Sequence, residues 1–454
     1  MARTTVADVL ADGLARAGAG RLVTARASDP VALAVRAAAE RRGVPVLDAP
    51  DPMVAGVLAA VNGEVGDGPG ALVAGLGDAH GLVRGLAHAQ RDRAPLIVIT
   101  GDGSDAALLA PVVKASLVVE PASASHWIAH AANLASSAPR GPVHLVVSAI
   151  AVSESALPVA TSCRPLPLPA PDANALDALA TVLTDSVRPI LITGLECSAD
   201  DAKWLRAFAE TLPAPVLATP KGRGVLAEPH PLALGLLASS HPLLVRADLI
   251  LLVGVDPSEL PPGLLPATIP VARIGPGPWS GITLVADVLG DIALAIDEMA
   301  PRVRARPAAD WDVAELDRLK RALIQALRAT PAGRLVALAR EAMPAGAIAT
   351  GDVPALASWQ AVAPRETLTA LGMATPGYAV TAAVAAQLAH PDRRVVAFTS
   401  PVGLAAAETA RALADALALA IIVVVLGATA DETTFAAEFA RAFTARGPTV
   451  VVAS

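Results

Sequence analysis

The stretch Ala247-Asp-Leu-Ile-Leu-Leu-Val-Gly-Val-Asp256 decides how this chain folds. Within the strand expected at 248–253 the large aliphatic residues, from 249 to 253, are consecutive rather than alternating. A strand written this way has both faces covered, which is the situation of a parallel strand held between two layers of helices. The same pattern recurs at 21–25, 71–75, 96–100, 116–120 and 143–148. It returns at 189–193, 215–218 and 270–274, and again at 347–350, 394–399 and 421–426. Stretches rich in Ala and Leu with helical spacing lie between these runs. Strand, helix and strand in this rhythm predict an α/β protein built of doubly wound parallel sheets.

Two breaks divide the series. Arg164-Pro-Leu-Pro-Leu-Pro-Ala-Pro-Asp172 can continue neither a helix nor a central strand and reads as an extended linker. A second break is expected at Pro301-Arg-Val-Arg-Ala-Arg-Pro-Ala-Ala309. Together they predict three domains, at 1–160, 173–303 and 310–454. At the amino end, Thr5 with Asp8 three residues on reads as the start of the first helix.

Composition narrows the function classes. Of 454 residues, 54% are hydrophobic and 17% charged, which excludes a disordered chain and leaves apolar surface for several cores. Aromatic residues are 2%, with one Tyr, so Ala and aliphatic side chains must do the packing. The mean hydropathy of +0.54 raises the question of a membrane. The longest apolar run, 416–430, is shorter than the roughly 20 residues a helical span needs, and it reads as a buried strand with its flanks. A net charge of −7 argues against a nucleic-acid partner. Cys163 and Cys197 are too few for a disulfide framework or a zinc site. The first ten residues carry no apolar signal core, so a cytoplasmic protein is expected.

Three stretches, taken in order, resemble the thiamine-diphosphate enzymes of the acetolactate synthase type. In the first block these are the glycine-rich turn and helix from Gly70 to Ala89, the strand from Asp92 to Gly101, and Gly141-Pro-Val-His-Leu-Val-Val147. In the middle block Lys221-Gly-Arg-Gly-Val-Leu-Ala-Glu-Pro-His-Pro-Leu-Ala-Leu-Gly235 is followed at the family spacing by Ala247–Asp256. In the third, 372–383 and His390-Pro-Asp-Arg-Arg-Val-Val-Ala-Phe398 are similar to the opening of the pyrophosphate-binding domain. The resemblance implies a pyrimidine-binding domain, a central domain and a pyrophosphate-binding domain. It implies thiamine diphosphate with Mg²⁺ as cofactor, FAD or ADP as a further ligand of the central domain, and assembly as a homodimer, homotetramer or hetero-oligomer.

It also says where the cofactor residues should stand. The family's catalytic glutamate aligns with Asp51 or Pro52, and Glu64 lies too far along the same helix to replace it. Family cofactor positions fall on Gly75, Gly77, His80, Ser400, Val402, Gly403 and Gly427. The metal-binding Asp of the family falls on Pro401 and its Asn pair on Gly427 and Ala428, none of which has a ligand atom in its side chain. No metal ligand is therefore assigned. The chain is also about 100 residues shorter than typical members, so the segment that wraps the cofactor is expected to be cut down.

The other candidates are local. His126 and His130 are four apart without an HExxH pattern. Ser400 lacks the GxSxG elbow of a hydrolase, although the amides of 402–404 could cradle an anion at a helix start. The turn Lys221–Gly224 reads as a structural turn with two surface cations or as a nucleotide site, and Asp352 as a helix cap. Asp431 and Glu432 read as a solvated turn or helix start. The expected function is an acetolactate-synthase-like homologue with degenerate cofactor motifs, acting as a non-catalytic subunit beside itself or an intact relative. The alternatives are an active decarboxylase or carboligase of 2-oxo acids and a nucleotide-binding regulator.

Overall fold

The first helix, Val6–Ala17, starts as its sequence predicts. The Thr5 hydroxyl accepts the Asp8 backbone N–H at 3.2 Å, and the Asp8 carboxylate accepts the Thr5 N–H at 3.0 Å. The two groups satisfy donors that a helix end otherwise leaves open. The computed structural model describes residues 4–25, 29–75, 77–103, 106–303, 309–372, 376–427 and 431–453. The chain divides into two compact units. One comprises residues 1–166, 372–423 and 445–449, the other 167–371, 424–444 and 450–454.

Three sheets carry the architecture. The first contains β1 (Leu22–Ala25), β2 (Val46–Ala49), β3 (Gly70–Ala74), β4 (Leu96–Gly101), β5 (Ala115–Val119) and β6 (Pro142–Val147), in the order β2-β1-β3-β4-β6-β5. The second contains β7 (Pro189–Thr193), β8 (Val216–Ala218), β9 (Ala233–Leu236), β10 (Leu249–Val253), β11 (Val271–Gly275) and β12 (Ala286–Leu289), in the order β12-β11-β10-β7-β8-β9. The third comprises β13 (Ile348–Gly351), β14 (Thr367–Leu368), β15 (Val395–Thr399), β16 (Ile421–Leu426) and β17 (Thr449–Ala453). Pairing in the first two sheets is parallel throughout. The strand expected at 248–253 forms as β10, in the middle of its sheet and buried at every position from Leu249 to Val253, while Asp248 just before it is exposed.

The twelve strands read from continuous apolar runs all form, with ends moved by about a residue. The strands not anticipated are β2, β9, β12, β14 and β17, and each lies at a sheet edge. An edge needs only one buried face. Accordingly β12 alternates buried and exposed, and β2 carries the exposed Asp48. The segment 164–172 forms neither helix nor strand, and Asp172 caps the helix that follows it. The second expected break is corrected at its start. Pro301 lies inside the helix Ile292–Val303, while 304–308 fall outside the described residues. The run 416–430 resolves into a helix end and β16, with 428–430 outside the described residues. Among the described residues no helix is long and apolar enough to cross a membrane.

Candidate functional site

The helix Pro52–Val65 organises the first unit. Proline at its first position has no N–H to leave unsatisfied, and Asp51 before it is extended and caps the helix. Asp51 Oδ1 accepts the Val54 N–H at 2.9 Å, and Oδ2 accepts the hydroxyl of Thr409 at 3.0 Å. Both oxygens of the only acid at the expected catalytic position are therefore engaged by neighbours. Halfway along, the helix crosses the helix Ala79–Arg91 at two glycines. A Cβ on Gly85 would fall 2.6 Å from Gly56 Cα, so only glycine permits this approach. The helix Tyr378–Ala389, buried around most of its circumference, packs on the Pro52–Val65 helix as well.

The expected cofactor positions fall on three turns. Gly75 donates its N–H to Asp78 Oδ2 at 3.1 Å, Gly77 has φ +85°, and His80 is exposed in the first turn of the next helix. After β15, Ser400 caps the helix Pro401–Ala406. Its hydroxyl accepts the Gly403 N–H at 3.1 Å, Gly403 is buried, and Val402 points to solvent. Gly427, after β16, donates its N–H to the Ala453 carbonyl at 3.0 Å. Ala428 lies outside the described residues.

At the far end of the same helix stands a group the sequence reading passed over. Glu64, His88 and Asp92 place one ligand-type atom each within 4.8 Å of one another. His88 Nδ1 is 3.6 Å from Asp92 Oδ1, and both residues are buried. The sequence alone offers Glu64 only as a replacement for the catalytic acid, too far along the helix to serve. The usable signal was the spacing: Glu64 ends one helix, while His88 and Asp92 lie four apart at the end of the helix that crosses it. The pair His126 and His130 stacks at 6.0 Å and belongs to no comparable cluster among the described residues.

In the second unit, the reading of Lys221–Gly224 as a turn with two surface cations is corrected. Arg223 is buried, forms a two-pronged pair with Glu228 at 2.6 and 2.9 Å, and donates to the carbonyls of Leu356, Ala357 and Trp359. Lys221 is half-buried. Beside them a cavity of about 310 Å³ is lined by Leu234, Leu236, Leu323, Ile324 and Leu327 together with polar groups, of which Arg223, Glu228, His241 and Lys320 already have partners. Lys320 donates to the carbonyls of Glu228 and His230, and Arg328 pairs with Glu341.

Open α/β sheets bind ligands beyond the carboxyl ends of their strands, where the strand order reverses. In the second sheet that place lies between β7 and β10, and the Glu259 carboxyl fills it. It accepts the N–H groups of Leu195 at 3.0 Å and Asp256 at 3.1 Å and the Thr219 hydroxyl at 2.5 Å. Burial pushes this carboxyl up to about 8, against the pull of those three hydrogen bonds. Asp352 is not a cap: the 3-10 turn Pro354–Ser358 begins after Val353 without a side-chain cap. Asp431 does start its helix, accepting the Thr433 and Thr434 N–H groups.

Comparison with known proteins gives a consistent answer. Three models of thiamine pyrophosphate enzymes match in order: the N-terminal TPP binding domain at residues 4–112, the central domain at 176–298 and the C-terminal TPP binding domain at 350–427. The acetolactate synthase large subunit of Parasynechococcus marenigrum is 30% identical over 396 residues, 75% of this chain and 62% of that protein. The acetolactate synthase isozyme 1 large subunit of Escherichia coli is 28% identical over 360 residues, 70% of this chain and 63% of that protein. The chain thus spans less than two thirds of the length of these relatives. A solved structure of a candidate thiamin diphosphate-dependent enzyme from Mycobacterium smegmatis superposes with a TM-score of 0.79 at 20% identity, over 100% of this chain and 99% of that one.

Proposed function

Because the chain belongs to the thiamine pyrophosphate enzyme family, we propose that it is an acetolactate-synthase-like member whose cofactor positions serve folding, a non-catalytic subunit that pairs with itself or with an intact relative. One observation carries this reading. At both places where the family's chemistry would be anchored, the side chain present is a helix cap: Asp51 for Pro52–Val65 and Ser400 for Pro401–Ala406.

When bound, thiamine diphosphate supplies a carbanion-stabilising centre, and its diphosphate is neutralised by a divalent cation. The residues here do not fit that group. Around the diphosphate a cation needs oxygen ligands, whereas Pro401 and Gly427 have none in their side chains and the Ser400 hydroxyl turns back onto its own helix. A carboxylate that is to hold a cofactor nitrogen must also be within hydrogen-bond reach of it. Asp51 is one methylene shorter than glutamate and already accepts two hydrogen bonds from the chain. No catalytic step is therefore derived through the cofactor. The nucleotide reading of the central domain finds no support either, since Glu259 occupies the backbone N–H groups an incoming phosphate would use and the nearby cations are spent on carbonyls and carboxylates. Pairing is favoured by the names of the relatives, which are large subunits.

The test is turnover. The purified chain, supplied with thiamine diphosphate, Mg²⁺ and a series of 2-oxo acids, should release no CO₂ above the rate of an unfolded control. Sustained release that saturates with substrate would instead make the chain an active decarboxylase or carboligase.

A further inference from the structure

We propose that the chain binds one divalent transition-metal ion through Glu64, His88 and Asp92, at the end of the Pro52–Val65 helix remote from the cofactor positions. The donors are one imidazole nitrogen and two carboxylate oxygens, a set that suits zinc and its neighbours in the first transition row. Metal–ligand bonds of about 2.0–2.2 Å in a tetrahedral site put ligand atoms about 3.4 Å apart. His88 Nδ1 and Asp92 Oδ1 are already 3.6 Å apart, and all three atoms lie within 4.8 Å. Closing the set requires a small movement of Glu64, the long side chain of the three and the one that is only half-buried.

The independent observation is Tyr378. It opens the helix that packs over this end, is 1% exposed, and lies with its ring centroid 5.0 Å from that of His88. Its hydroxyl is buried without a hydrogen-bond partner. A buried hydroxyl is seldom left unused, and an ion with its water in the cluster would give this one a partner.

The site is held rigidly. Gly56 and Gly85 fix the crossing of the two ligand-bearing helices, and His88 and Asp92 share one helix face at a four-residue spacing, as ligand pairs on helices do.

The full-length chain, stripped with a chelator and dialysed, should take up one Zn²⁺ per chain in calorimetric titration. Co²⁺ should give the visible bands of a low-symmetry site. His88→Gln and Asp92→Asn should each weaken uptake by at least about tenfold, the scale seen even for residues one shell out from a metal. Should His88→Gln fail to fold, Glu64→Gln and Tyr378→Phe provide the same readout from milder changes. Doubling the change at the surface with His126→Gln and His130→Gln should leave binding as it was. No saturable uptake, or uptake lost with the surface pair and kept in Asp92→Asn, would overturn the proposal. None of these readouts involves thiamine diphosphate, so the result stands apart from the fate of the proposed non-catalytic role.

Discussion

The two ends of the helix Pro52–Val65 use their charged groups in opposite ways. At the amino end, where the family resemblance places the catalytic acid, Asp51 is partly exposed, and both its oxygens are absorbed by the Val54 amide and the Thr409 hydroxyl. At the carboxyl end, where the family resemblance assigned nothing, Glu64 meets a buried histidine and a buried aspartate. On the proposed reading, the fold keeps its helices and strands while its polar groups are reassigned. Position within the fold does not by itself say where the chemistry lies.

The largest effect is expected where the two ligand-bearing helices touch. Gly85→Val would push a side chain into the Gly56 backbone. Overpacking of this kind costs roughly 1–3 kcal/mol or more. The thermal midpoint should fall by several degrees, and the carboxyl end should lose its geometry while the caps at the amino end survive. Equal loss from a control substitution at the exposed Leu33 would mean that the crossing is not special.

A second buried histidine provides a contrast with His88. His144, in β6, pairs with hydroxyls rather than a carboxylate among the described residues. Its ring is 2.9 Å from the Thr100 hydroxyl and 3.2 Å from that of Ser116, and burial lowers it to about 4. Folding therefore favours the neutral ring. That stabilisation is complete above about 6.5, the unfolded value, and is lost as pH falls towards 4. At about 1.4 kcal/mol per pH unit, urea midpoints should drop by an amount corresponding to about 2 kcal/mol between pH 6.5 and 5. His144→Gln should flatten this acid limb. An unchanged limb would place the acid sensitivity elsewhere.

Smaller changes test the amino end. Asp51→Ala and Ser400→Ala should each cost about 1 kcal/mol, the usual value of a helix cap, without altering any affinity for thiamine diphosphate. Thr409→Val should cost less still, since its hydrogen bond to Asp51 is exposed. If either cap substitution created or abolished cofactor binding, the contrast between the two ends would fail.

The sequence carried the architecture well because the interior strands are covered on both faces and announce themselves as unbroken apolar runs. Edge strands such as β12 and β14 were lost, being half-exposed or two residues long. Thr5, Asp8 and Asp431 were legible as helix starts because capping is a local rule. Arg223 was misread because, besides Glu228 five residues on, its partners are the carbonyls at 356–359, more than a hundred residues away, which nothing nearby in sequence foretells. Glu64 was missed for the same reason: its neighbours His88 and Asp92 belong to another helix, and only the crossing at Gly56 and Gly85 brings them together.

The central claim is that the amino end of this helix and the Ser400 loop no longer hold the family's cofactor. It is tested most directly by titrating the purified full chain with thiamine diphosphate in the presence and absence of excess Mg²⁺, followed by calorimetry. No saturable heat at micromolar to millimolar cofactor, with or without Mg²⁺, is the predicted result. Micromolar, Mg²⁺-dependent binding at one cofactor per chain would contradict it.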